Sequence, residues 1–382
     1  MTIRTLVLSG GGGRGAFHAG VYKYLMQEQK RGVDAEHQAP WKPDIVIGTS
    51  IGAVNGAAIA QGVTAHALEQ FWLSLREKDI QGIPPGMRAL SRWVWNRALK
   101  SAIGTRLPQV SQEEAFSPSA KESWPPLPVM PRRLSESLIG RWNNLLDTAP
   151  LYRTLQERLG LDEERINSSE TALLISATNV RTGEGMIFTN NREGRMRDGT
   201  RREDMQAPIT LRRIIASCSI PLVYPWTQDD LDPAGSIYWD GAVISNTPLG
   251  AAFDVVRDRD VTEDMEIVIV MMTPWWESHG AAPNQGRLPS DFGEAITWAL
   301  DWALLASFRV DLKLMSSFNE LALARREMQQ DQKYRMVKAV IVAPEQFLPV
   351  ARIIDYDRAA SSQLIDMGYT ATQRAFEAEF SG

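Results

Sequence analysis

Cysteine and histidine are nearly missing from this 382-residue chain, which holds one Cys and four His. A lone Cys218 excludes an internal disulfide and agrees with a reducing, cytoplasmic compartment; its reading is a small buried hydrophobe, not a nucleophile. The histidines, His18, His37, His66 and His279, are scattered, and no Cys/His/Asp/Glu spacing is of the zinc or calcium kind, so neither a metal nor a cofactor is expected. A cationic excess is lacking too: the net charge is −5, and no nucleic-acid partner is expected. Internal repeats and low-complexity tracts are absent. The first residues run into an apolar strand instead of a basic-then-apolar leader, so no signal peptide is expected. The longest gap in charge runs from Ile45 to Leu68, without Asp, Glu, Lys or Arg, and imitates a membrane span in length. Its Gly, Ser, Thr, Asn and Gln divide it into a strand and a helix around one serine, which makes it a buried core unit. With 44% hydrophobic and 23% charged residues, the chain has material for one large α/β domain with a helical extension, or for two domains.

That serine lies in Gly48-Thr49-Ser50-Ile51-Gly52, between the apolar strand Asp44-Ile45-Val46-Ile47 and a helix-like run from Ala53 to Ala60. In this context Gly-x-Ser-x-Gly makes a sharp turn whose glycines clear room for an exposed hydroxyl at the top of a sheet. The helix that follows aims its N-terminal amides back at the serine, a seat for developing negative charge. A second glycine cluster follows the strand Ile3 to Leu8. There Ser9-Gly10-Gly11-Gly12-Gly13-Arg14-Gly15-Ala16 opens a helix through Val21, Leu25 and Met26. Consecutive glycines let backbone amides converge into an anion-binding nest. Gly10-x-Gly12-x-x-Gly15 also fits a dinucleotide fingerprint. That fold wants an acidic residue ending the second strand, whereas Asp34 and Glu36 lie in a polar stretch before it. The Lys-Ser/Thr ending of a nucleotide P-loop is absent. Oxyanion binding is the preferred reading. A third element is the strand-like Ser236-Ile237-Tyr238-Trp239, running into Asp240-Gly241-Ala242 and then Asn246-Thr247-Pro248. A carboxylate there projects into a site, or the motif is an ordinary Asp-Gly turn.

Together the three elements resemble the patatin-like phospholipase family, bacterial type. The resemblance rests on Gly10 to Gly15 for the oxyanion loop, Gly48 to Gly52 for the nucleophile elbow, and Asp240-Gly241-Ala242 for the second catalytic element. Ala216-Ser217-Cys218-Ser219-Ile220-Pro221, leading to Tyr224-Pro225, is similar to the segment that precedes the family's aspartate, so the resemblance spans Leu6 to Phe253. It implies a lipid acyl hydrolase cleaving esters of phospholipids or lysophospholipids. Ser50 would be the nucleophile, Asp240 the base, and the amides around Gly11, Gly12, Gly13 and Arg14 the oxyanion hole. It also implies a three-layer α/β/α sandwich with a mostly parallel sheet. An aspartate is a weak base in water, with a pKa near 3.9, and desolvation is what would make it a better acceptor.

The pattern along the chain agrees with that architecture. Strands are expected at Thr171 to Thr178, Met186 to Thr189, Met265 to Met272 and Met336 to Val342, with helices at Ile209 to Ala216, beyond Asp291, and from Arg358 to Phe380. This suggests a catalytic domain over 1–275 and a helical extension over 290–382 packing on it. An insertion over about 81–145 interrupts the first. From Gln81 to Gln112 it carries Arg88, Arg92, Arg97, Lys100 and Arg106 with no acidic residue, plus Trp93 and Trp95. Such a stretch reads as a cap over the site, as peripheral contact with an anionic membrane, or as both.

Two other functions fit parts of the sequence. Ser50, Asp240 and His279 follow the chain order of an α/β-hydrolase triad. A non-catalytic binding module could also keep both glycine motifs and sense a ligand.

Overall fold

The computed structural model describes residues 2–28, 41–82, 146–190, 202–256, 260–275, 288–290, 292–330, 333–348 and 356–380. Its strands are β1 (Ile3–Leu8), β2 (Ile45–Thr49), β3 (Ala172–Asn179), β4 (Gly185–Thr189), β5 (Met205–Gln206), β6 (Thr227–Gln228), β7 (Ile237–Asp240), β8 (Met265–Val270) and β9 (Val337–Val342). Its helices are α1 (Ala16–Glu28), α2 (Ile51–Ala60), α3 (Ala65–Ser74), α4 (Glu77–Ile80), α5 (Ala149–Glu157), α6 (Glu163–Asn167), α7 (Leu211–Ser217), α8 (Leu249–Val255), α9 (Phe292–Glu327) and α10 (Arg358–Phe380).

The sheet runs β5-β4-β3-β2-β1-β8-β9. Its centre, β3-β2-β1-β8-β9, is parallel throughout, and β4 joins β3 antiparallel. These central strands are mostly apolar because both faces are covered, as parallel sheets require. Leu6, Leu8, Val46, Leu173, Ile175, Val268 and Val270 pack with α1, α2, α3 and α10 on one face. Ile3, Val7, Ile45, Ile47, Leu174, Ile267 and Ile269 pack with α8 and α9 on the other. The three-layer sandwich is therefore built by strict alternation within each strand.

The register of β3 places the site. β2 pairs with β3 as far as Thr49 opposite Ser176, then turns away into the elbow. On the edge that β2 leaves, β7 takes over, antiparallel, with Asp240 opposite Ala177. Neighbouring strands lie about 5 Å apart, so the residue after Thr49 and the last residue of β7 meet across one strand end.

The residues beyond 290 are bound closely to the rest. β9 is the outer strand beside β8, and α10 lies against α1. A Cβ on Gly20 would stand 1.9 Å from the Ile365 carbonyl oxygen, and one on Gly368 would stand 2.1 Å from that of Phe17. The two helices therefore cross backbone to backbone, with Tyr24 edge-on to Tyr369. The expected insertion lies outside the described residues except at its ends. There Gly82 and Asp147 form an antiparallel bridge, and the Leu146 N–H donates to the Val223 carbonyl at 2.8 Å. Among the described residues no helix is long and apolar enough to cross a membrane.

Candidate active site

Ser50 is the first residue past β2 and has φ 56°, ψ −127°. A side chain at positive φ costs of order 1–3 kcal/mol, so the surroundings must hold it there. Two bonds do so. The Ser50 N–H donates to Ser217 Oγ at 2.8 Å, and the Ser217 hydroxyl donates onward to the Ser176 carbonyl at 2.6 Å. The elbow is thus tied to the end of α7 and to β3 together. Ser217 belongs to the Ala216–Pro221 stretch singled out in the sequence, but nothing in that stretch identified it as the clamp. The flanking glycines are required for space: a Cβ on Gly52 would fall 2.1 Å from the Leu8 carbonyl oxygen, and one on Gly48 would fall 2.4 Å from that of Gly52.

Asp240 ends β7 and is buried, and the Ser50 hydroxyl beside it favours its charged form. The Asp240 Oδ1 accepts from the Ala242 N–H at 2.9 Å. The backbone is pinned on both sides, by its own N–H to the Ser219 carbonyl at 3.0 Å and by the Thr178 hydroxyl to its carbonyl, also at 3.0 Å. Gly241 must follow, because a Cβ there would meet the Ser176 carbonyl oxygen at 2.5 Å. Burial raises the Asp240 pKa from 3.8 to about 7, against the Ser50 hydroxyl and the Ala242 N–H, which lower it. Such a carboxylate can take and return a proton near neutral pH.

The glycine loop leaves β1 through Gly10 and turns at Gly12, whose φ of 56° suits a residue without a side chain. A 3-10 turn over Gly12–Gly15 then leads into α1, and Gly15 packs against Ile51 and Trp72 beside the elbow. Of the four amides expected in an oxyanion hole, that of Arg14 donates to the Gly11 carbonyl at 3.2 Å and closes the turn. The Arg14 side chain is buried, and its Nη2 donates to the Leu348 carbonyl at 2.7 Å, fastening the loop to the segment after β9.

The remaining candidates sort themselves by position. His18 is buried on α1 behind the loop with Nδ1 against Asn55 Nδ2 at 3.1 Å; burial depresses its pKa to about 3 and keeps it neutral. His66 is exposed on α3, and His37 and His279 lie outside the described residues. Cys218 is buried, and burial together with the charge of Asp240 pushes its thiol pKa up, so it is not a nucleophile. A cavity of about 1160 Å³ lined by Glu184, Arg202, Asp204, Asp232 and Tyr238 does not include Ser50 or Asp240.

The arrangement of elbow, oxyanion-type loop and β7 aspartate has a counterpart among known families. Residues 6–253 match the family model of patatin, a patatin-like phospholipase. The chain belongs to the patatin-like phospholipase family. Membership implies lipid-ester hydrolysis by a Ser–Asp mechanism, and it accounts for the observed sandwich. No curated protein sequence matches the chain. Similar solved structures include VipD from Legionella pneumophila, at 14% identity and TM-score 0.32, covering 96% of this chain and 67% of that one. The ExoU–SpcU complex from the type III secretion system of Pseudomonas aeruginosa is 12% identical, with TM-score 0.34, over 100% and 52% of the two chains. Human GIVD cytosolic phospholipase A2 is 11% identical, with TM-score 0.34, over 97% and 63%. This chain thus spans about half to two thirds of those proteins, and at such TM-scores the likenesses carry no further argument.

Proposed function

We propose that Ser50 and Asp240 are the catalytic dyad of an acyl hydrolase acting on phospholipid or lysophospholipid esters. Ser50 Oγ attacks the ester carbonyl carbon while Asp240 takes its proton. The resulting oxyanion is held by the amides of Gly11, Gly12 and Gly13, with the Arg14 amide closing their turn. Collapse of the tetrahedral intermediate breaks the acyl C–O bond, and the protonated Asp240 returns the proton to the leaving alcohol. A water, deprotonated by Asp240, then attacks the acyl-enzyme and releases the fatty acid, restoring both groups. What supports this reading most is that the Ser50 hydroxyl stands at one strand end with a buried carboxylate whose pKa is raised to about 7.

The test is covalent labelling by a fluorophosphonate probe together with hydrolysis of p-nitrophenyl butyrate. Ser50→Ala should fold, take no label and lose activity by several orders of magnitude, since covalent catalysis is gone. Activity near the wild-type level in that variant would remove Ser50 from the mechanism.

The same proposal takes residues 1–275 as the catalytic domain, with the insertion at about 81–145, and 290–382 as the extension packed on it. It places the protein in the cytoplasm, in peripheral contact with anionic membrane. The acid-free stretch with Arg88, Arg92, Arg97, Lys100 and Arg106 supports that contact, each basic residue contributing about 1 kcal/mol near such a surface. Replacing Arg88, Arg92, Arg97 and Lys100 by Gln should weaken sedimentation with anionic vesicles at low salt while leaving the soluble ester unaffected. Equal sedimentation of both proteins would leave the segment no membrane role.

A further inference from the structure

Asn246, in the Asn246-Thr247-Pro248 motif after the aspartate, has no part in the chemistry described so far. It is buried, and its Oδ1 accepts from the Gly10 N–H at 2.7 Å, across 236 positions of sequence. A Cβ on Gly10 would stand 2.7 Å from that same oxygen and 3.0 Å from Ser50 Cβ. The Asn246 amide therefore lies against the one stretch of backbone that separates the nucleophile from the glycine loop.

Gly10 is where the ladder ends and the nest begins. One residue earlier, the Ser9 N–H still donates to the Val270 carbonyl at 3.1 Å, prolonging the pairing of β1 with β8. One residue later the chain is extended at Gly11 and then enters the left-handed turn at Gly12. The Gly10 amide, taken by Asn246, is not a donor for an oxyanion; its direction instead decides where the following amides face. Asn246 is itself held on the turn that carries the base. The N–H groups of Ile244 and Ser245 both donate to the Gly241 carbonyl, at 3.1 and 2.9 Å, so Asp240 and Asn246 bracket one hydrogen-bonded turn. Beyond it, the Leu249 N–H at the start of α8 donates to the Thr247 carbonyl at 2.8 Å.

We infer that Asn246 is a positioning residue for ester hydrolysis: by fixing the Gly10 amide it locks the oxyanion loop to the turn bearing Asp240, so that both address Ser50 in one geometry. This rests on the dyad reading above. Displacement of reacting groups by about 1 Å costs on the order of a hundredfold in rate. Asn246→Ala should accordingly lower kcat for p-nitrophenyl butyrate about a hundredfold, with KM changed by less than about threefold.

Asn246→Asp provides a second readout. It keeps the acceptor for Gly10 but adds a like charge close to the dyad, which should raise the apparent pKa of kcat relative to the wild type. A merely structural asparagine would not give the kcat-only defect, nor its recovery in Asn246→Asp above the raised pKa, where the Gly10 acceptor is kept. A folded Asn246→Ala with kcat within twofold of wild type, or with its whole defect in KM, would overturn the inference. Where the alanine variant does not fold, Asn246→Ser, whose hydroxyl is too short to hold the Gly10 amide in the same place, decides: a loss confined to kcat supports the lock and a kcat within twofold of wild type refutes it. Wild-type protein that neither labels with fluorophosphonate nor turns over ester would refute the dyad itself, an outcome distinct from an active enzyme indifferent to Asn246.

Discussion

Asp229 and Asp240 are both buried carboxylates, 3% and 2% exposed, on either side of the short β6–β7 hairpin. Asp229 faces a guanidinium. Arg213 reaches its Oδ2 with Nε at 3.0 Å and Nη2 at 2.6 Å, spends Nη1 on the Pro208 carbonyl at 2.7 Å, and lies over the Phe188 ring. The Leu231 N–H satisfies Oδ1 at 3.1 Å. Asp240 faces only the Ser50 hydroxyl and the Ala242 amide, and no cation enters the balance that sets its pKa. Burial with a matched cation makes a fixed structural charge. Burial without one leaves a carboxylate that gives and takes a proton near neutrality, which is what a base needs.

Exchanging each acid for its amide should separate the two roles, and the largest effect is on turnover. Asp240→Asn is expected to lower kcat by about 10²- to 10⁴-fold, the usual contribution of a general base. Asp229→Asn should leave kcat per labelled active site within a few-fold of wild type. A comparable kcat loss in folded Asp229→Asn would erase the distinction.

Stability should move in opposite directions. Asp229→Asn leaves Arg213 as an uncompensated buried charge, a loss of about 3–5 kcal/mol. For Asp240 the folded pKa of about 7 lies above the unfolded value of 3.8, so between those values the folded state binds more protons. Its contribution is therefore greatest at acid pH, falls as pH rises toward about 7, and is flat above. The gap corresponds to about 4 kcal/mol at pH 8. Removing the charge in Asp240→Asn should raise the urea midpoint at pH 8, with the gain shrinking toward pH 5. A variant less stable than wild type at pH 8 would mean that the carboxylate is not held unpaired in the folded protein.

Much of this contrast could be read from the sequence and some could not. Asp240 was visible because it ends a strand and precedes a glycine, and Ser50 because a glycine elbow between strand and helix has few other uses. Short, largely apolar runs marked β1 and β2 as buried strands. The two-residue strands β5 and β6 left no periodic trace, and the Arg213–Asp229 pair joins residues whose types are common and whose spacing is uninformative. Ser217 and Asn246 were hidden for a related reason. Each acts through one long-range bond to a backbone amide, of Ser50 and Gly10 respectively, and a backbone partner has no signature in side-chain sequence. The helix α10 was legible from Arg358 to Phe380, but Gly20 and Gly368 do not announce that they face each other's helix.

The smallest expected effect sharpens the comparison most, because it asks whether any group besides Asp240 takes the serine proton. In a Ser–His–Asp triad the acid bonds to the imidazole, and the imidazole bonds to the serine. Here the Ser50 hydroxyl itself acts on the Asp240 carboxylate, and no imidazole enters the balance that sets its pKa. His18, the buried histidine nearest in sequence to the loop, is neutral and turned to Asn55. His279→Ala is accordingly expected to change kcat less than about threefold. The pH profile of kcat/KM should keep one inflection near 7, rising as Asp240 loses its proton, in wild type and variant alike. A kcat drop of several orders in a folded His279→Ala protein, or disappearance of that inflection, would make His279 the base and return Asp240 to the orienting role that triads give their acid.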